Sequence, residues 1–202
     1  MPLEIIATEN TIDRIQNSFN RILARCDEET RRRIEATPLV VSNETRATEV
    51  YNDAPFNIFR NAYTLGFGGA KGNVRTANGK IHFIVLNFER INASNLTDAE
   101  FDGVFAHELG HIFNKLPDRP KLLPPKYSQA EIQAANIINR KDNEFYADHF
   151  AKKVNCSTGL LSSFDKYILS GDCKDEGLFQ ERRTKLESND VFPGIFMEIT
   201  VD

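Results

Sequence analysis

The sequence predicts a single α+β domain over residues 1–202, with a small mixed sheet in its first half and helices in its second. Three patterns carry that prediction: short β-prone runs confined to residues 38–90, a hairpin signal at Asn78-Gly79, and apolar residues at helical spacing from residue 97 onward. Of the 202 residues, 41% are hydrophobic and 27% charged, the balance of an ordinary folded chain. A chain of this length buries enough surface to form a core without disulfides or an architectural metal.

A first helix is expected over residues 8–36, where Ile12, Ile15, Phe19, Ile22 and Leu23 recur every three or four positions and Pro38 follows. Arg31, Arg32 and Arg33 follow Asp27, Glu28 and Glu29 by about one helical turn, which reads as a solvated, salt-laced face. The sheet is expected over residues 38–90, with runs at 39–41, 48–51 and 62–65 and a strand over 81–88. Asn78-Gly79 sets the turn before that strand, because both central residues of a type I′ turn need positive φ. The glycine-rich run Gly66-Phe67-Gly68-Gly69-Ala70-Lys71-Gly72 reads as a surface loop. It has neither the Gly-Lys-Ser/Thr ending of a phosphate loop nor the spacing of a dinucleotide fingerprint.

Thr97-Asp98-Ala99-Glu100 has the form of a capping box and opens a helix over 97–115, with Phe101, Val104, Phe105, Leu109, Ile112 and Phe113 at helical spacing. Four prolines between residues 116 and 127 break the pattern. Ser128-Gln129-Ala130-Glu131 is a second capping box and opens a helix over 128–154, with room for a kink at 139–143. Further helices are expected within 158–188. The tail from Val191 to Phe196 is apolar for a terminus and could dock back on the domain.

A net charge of -4 and a pI of about 5.7 give no basic field for a phosphate backbone, and nucleic-acid modules have no signature here. No run approaches the roughly 18–20 apolar residues that span a bilayer, and the start MPLEIIATEN has neither the basic nor the apolar part of a leader. Cys26, Cys156 and Cys173 are odd in number and show no CxxC spacing, which argues against a disulfide framework and a thiolate metal site. The expectation is a soluble, cytoplasmic protein. The oligomeric state leaves no trace in the sequence.

The chemistry sits in His107-Glu108-Leu109-Gly110-His111. Histidines four apart on a helix project from one face and can grip a single ion. Glu108 is turned about 100° from that face, where its carboxylate can take a proton from a metal-bound water. Gly110 costs about 1 kcal/mol inside a helix and signals a close approach by another backbone or a ligand. A catalytic zinc normally has three protein ligands, and the third is sought in Asn143-Glu144-Phe145-Tyr146-Ala147-Asp148-His149. Glu144 and Asp148 share a helix face, so Glu144 is assigned to the metal and Asp148 to a hydrogen bond that orients a ligand imidazole. His149 competes for the metal, although it points about 140° away from Glu144. His82 reads as a packed or exposed histidine, and nothing in the spacing selects any of the five tyrosines.

HELGH followed by Glu144-Phe145-Tyr146-Ala147-Asp148 resembles the gluzincin zinc metallopeptidases, and most closely the catalytic module of the CAAX prenyl-protease and heat-shock membrane endopeptidase group. The likeness extends to Asn61-Ala62-Tyr63, to Asp98-Ala99-Glu100 with Val104-Phe105-Ala106, and to Glu181-Arg182 with Leu186. It covers roughly residues 60–187. Lacking membrane helices, the sequence is more similar to the soluble minigluzincins. The resemblance implies a zincin-like fold, one catalytic Zn2+, an edge strand above a cleft, two zinc-binding helices and endopeptidase action on a peptide or protein substrate. Residues 81–88 would be that edge strand, with Ile81, Phe83 and Val85 beside an extended peptide. Arg182 matches the family's late arginine and is the candidate catalytic donor to an oxyanion. The alternative is a catalytically weak or inactive zinc-bound peptide-binding protein of the same fold.

Overall fold

The computed structural model describes residues 3–43, 66–76, 79–114, 129–171, 173 and 175–188, with backbone alone at 71–76, 79–80 and 129–140. The expected strands at 48–51 and 62–65, Asn61-Ala62-Tyr63, Asn78, residues 116–127, Ser128 and the apolar tail lie outside the described residues. Strand β1 (Leu3–Ile6) precedes helices α1 (Glu9–Arg25) and α2 (Glu28–Glu35), which lead to β2 (Leu39–Asn43). Strands β3 (Gly68–Thr76) and β4 (Gly79–Leu86) precede the short α3 (Phe88–Ala93). Then come α4 (Asp98–Phe113), α5 (Gln129–Lys153), α6 (Ser157–Leu169) and α7 (Glu176–Glu187). The architecture is α+β, with a mixed four-stranded sheet and seven helices among the described residues.

The strands run in the order β1-β2-β4-β3; β1, β2 and β4 are parallel and β3 is antiparallel to β4. Side chains alternate across the sheet. Leu39, Val41, Ile84 and Leu86 enter the main core beneath the helices, while Val40, Phe83 and Val85 form a small cluster on the other face. Both faces of β2 and β4 are therefore buried, which suits the near-continuous apolar runs in these strands.

Helix α4 lies at the centre. Phe101, Phe105 and Leu109 are wholly buried, and the helix touches α1, α2, α5, α6, β3 and β4. The expected capping box closes its start: Thr97 N–H donates to Glu100 Oε2 at 2.6 Å, and Glu100 N–H donates to the Thr97 hydroxyl at 3.3 Å. Two glycine contacts set its packing distances. A Cβ on Gly159 of α6 would stand 1.9 Å from the Ala99 carbonyl oxygen, and one on Gly110 would stand 2.6 Å from the Ala147 carbonyl oxygen of α5. The backbones of α4 and α5 thus approach closely at the turn that carries the two histidines.

Four expectations are corrected. The helix expected over 8–36 is two helices, because Asp27 accepts a hydrogen bond from Thr30 N–H at 2.7 Å and starts α2 afresh. The glycine-rich run expected as a loop enters strand β3 at Gly68. The strand over 81–88 is not an edge, since β4 lies between β2 and β3 and ends at Leu86, where Asn87 caps α3. The sheet expected within residues 38–90 also takes in β1 at Leu3–Ile6, which pairs with β2. Helix α5 runs through residues 139–143, one of the two courses left open for it. The arginine run behaves as a structural feature: Arg32 pairs with Glu28, and Arg33 donates to the Phe113 carbonyl at 3.0 Å.

Candidate metal centre

Three helices converge on one cluster. Helix α4 supplies His107, Glu108 and His111, α5 supplies Glu144 and Asp148, and α7 supplies Arg182. One turn of α4 sets the rings of His107 and His111 edge to face, with centroids 4.6 Å apart and Nε2 atoms 3.1 Å apart. Glu144 closes the triangle. Its Oε2 lies 3.4 Å from His107 Nε2 and its Oε1 lies 3.7 Å from His111 Nε2.

These donors fit a zinc ion. Ligands about 2.0–2.1 Å from a tetrahedral centre stand about 3.3–3.4 Å from one another, and the observed spacings fall either side of that value. The donor set, two imidazoles and one carboxylate, is one that catalytic zinc accepts. Asp148 accepts the Nδ1–H of His107 at 2.7 Å, which selects the tautomer whose Nε2 lone pair faces His111 and Glu144.

Electrostatics divide the group. Burial and Arg182 act to lower the His107 pKa, but Asp148 and Glu144 outweigh them and hold it near 9. Burial and the neighbouring His107 push His111 down to about 4. Burial opposes ionisation of Glu144 and Asp148, yet His107 and Arg182 hold both carboxyls below the usual range. Near neutral pH the pair therefore carries one positive charge, on His107, whose extra proton sits on Nε2, and an entering divalent ion would have to displace that proton to reach the lone pair.

Glu108 differs from the other carboxylates. It is 5% exposed, and its Oε2 has no hydrogen-bond partner among the described residues. Burial pushes the carboxyl up to about 7, with His107 and Arg182 opposing and Glu144 and Asp148 adding to the rise. Its Oε1 stands 3.2 Å from where a Cβ on Gly68 would be, so the start of β3 passes directly over the carboxylate. A larger residue than glycine there would press on Glu108.

The structure thus gathers His107, Glu108, His111, Glu144, Asp148 and Arg182, and leaves His149 and His82 outside the donor cluster. His82 sits on β4 with its ring 6.3 Å from that of Phe113. Phe83 and Val85, expected beside a peptide, are each 1% exposed on the far face of an internal strand, and Ile81 packs with them. Phe83 and Val85 therefore offer no surface to a substrate, and Ile81 is only partly exposed. Arg182 is equally inward: Nε and Nη2 donate to Asp148 at 2.8 and 2.7 Å, and Nη1 lies 3.2 Å from Glu144 Oε2. The expected oxyanion donor is thus committed to carboxylates.

The sequence reading missed β3 and Gly68. A signal existed, because the hairpin read at Asn78-Gly79 requires a strand before it as well as after it. Gly79 itself pairs with Thr76 and belongs to β4 rather than to the turn, which corrects the expected turn position. No protein-family model matches the chain, nor does any curated protein or solved structure.

Proposed function

We propose that the chain is a zinc-dependent endopeptidase with a zincin-like fold, similar to the soluble gluzincins, in which His107, His111 and Glu144 hold the metal. The observation that carries this reading is the pairing of that donor triangle with a buried carboxylate, Glu108, whose Oε2 has no partner among the described residues. Bound zinc would lower the pKa of a water to about 7 and polarise a carbonyl. Glu108 takes a proton from the attacking water and passes it to the leaving amine. A carboxyl with a pKa of about 7 can carry the proton both ways near neutral pH. Asp148 keeps the His107 ring in the required tautomer throughout.

The substrate strand is β3 rather than β4. Among the described residues β3 pairs only with β4, so its second edge can take an extended peptide by main-chain hydrogen bonds. The regular register runs from Gly68 to Lys71 and shifts before Val74, which places the even stretch beside Glu108.

The test is hydrolysis of casein or a mixed peptide library with and without a metal chelator, with Glu108→Gln as control. Cleavage that stops with chelator and with Glu108→Gln supports the reading; cleavage by Glu108→Gln at the ordinary rate overturns it. One observation favours a second reading, a zinc-bound peptide-binding protein: Arg182, the expected oxyanion donor, is committed elsewhere. That protein would retain peptides uncut.

A further inference from the structure

Arg182 belongs to α7, which supplies no metal ligand, yet it is 5% exposed in the middle of the cluster. A guanidinium is buried at high cost unless its N–H groups are paired. Here Nε and Nη2 grip both oxygens of Asp148, at 2.8 and 2.7 Å, and Nη1 stands 3.2 Å from Glu144 Oε2. The rings of Phe164 and Phe179 lie 4.5 and 5.0 Å from its central carbon, so aromatic faces from α6 and α7 fix where the fork can point. Oδ1 of Asp148 also accepts the His107 Nδ1–H at 2.7 Å.

We propose that Arg182 is a positioning residue for the metal ligands rather than a donor to the substrate. It holds Asp148 in the plane that fixes the His107 ring, and with its remaining arm it holds Glu144 toward the two imidazoles. This rests on the zinc reading of the site. Two effects oppose each other when the arginine is removed. A cation beside a dication is lost, which favours metal; buried Asp148 and partly buried Glu144 also lose their shared partner and turn from their places, which disfavours it. The bidentate geometry makes the second effect the larger, because groups that orient metal ligands typically contribute about 10–100-fold in affinity. Lysine cannot substitute, since a point charge reproduces neither the fork nor the third contact.

The experiment measures zinc dissociation constants by chelator competition for the unsubstituted chain, Arg182→Met, Arg182→Lys, Asp148→Asn and the Arg182→Met/Asp148→Asn double variant. Folding of each is checked by circular dichroism. Arg182→Met should weaken zinc by about 10–100-fold, and Arg182→Lys should recover little of that loss. If Arg182 acts through Asp148, the double variant falls short of the product of the two single losses. Unchanged or tighter zinc binding in Arg182→Met overturns the proposal, as does full recovery by Arg182→Lys. Should Arg182→Met not fold, Arg182→Lys decides alone: roughly tenfold weaker zinc supports the proposal and undiminished affinity overturns it. An unsubstituted chain that takes up no zinc instead overturns the metal reading beneath it.

Discussion

Glu108 is 5% exposed and its Oε2 has no hydrogen-bond partner among the described residues, so ionising it costs desolvation free energy and its carboxyl pKa rises to about 7, where it can exchange a proton near neutral pH. Glutamine has nearly the same shape and cannot accept the proton. Glu108→Gln should retain zinc at full stoichiometry while turnover falls by about 10²–10⁴-fold, read from paired metal analysis and peptide assays. Loss of zinc in this variant would place Glu108 among the ligands and contradict the assignment. Five of the six site residues were legible from two short motifs, because helical spacing fixes which side chains share a face, and Arg182 only from a weaker late match to the family it resembles. The use of Arg182 was not. Its donors are spent on Asp148 and Glu144, and a position some 34 residues from Asp148 gives no hint of that pairing.

At the scale of elements, the site depends on how closely α4 and α5 approach. Gly110 was readable as a contact point, and the neighbour proves to be the backbone at Ala147, one residue before Asp148. Gly110→Ala would press a methyl group against that backbone, so α5 must move and take Glu144 and Asp148 with it. We expect a loss of about 1–3 kcal/mol in denaturant-derived stability, together with weaker zinc binding. An alanine variant with unaltered denaturation midpoint and zinc affinity would show that the crossing is slack. The strands were harder to read than the helices. β1 is only Leu3–Ile6 and shows no alternation long enough to stand out, and glycines at the start of β3 mimic a loop. β4 was found, but its rank in the sheet depends on long-range pairing with β2 that no local pattern encodes. The break between α1 and α2 was available in Asp27, a good N-cap residue hidden within an otherwise continuous helical period.

For the molecule as a whole, Glu100 joins the start of α4 to α6, accepting from Ser162 at 2.6 Å and pairing with Lys166 at 2.7 Å. Burial acts to raise its pKa, but Lys166, Ser162 and Thr97 outweigh burial and bring it from 4.5 to about 2. A depressed carboxylate stabilises the fold above its unfolded pKa, and that contribution disappears as pH falls from about 4.5 toward about 2. Glu100→Gln should therefore melt below the unsubstituted protein at pH 6, with the gap closing as pH falls through that window. A gap independent of pH would mean that Glu100 acts by packing alone. Binding to the folded cluster should also raise the melting temperature with zinc concentration, by mass action on the folded state.

The most direct measurement is zinc stoichiometry by elemental analysis after exhaustive dialysis against trace zinc, run on the unsubstituted chain beside Glu144→Ala. We predict one zinc per chain in the former and a clear loss in the latter. An unsubstituted chain that holds no zinc, and takes up none on titration, would contradict the account at its root.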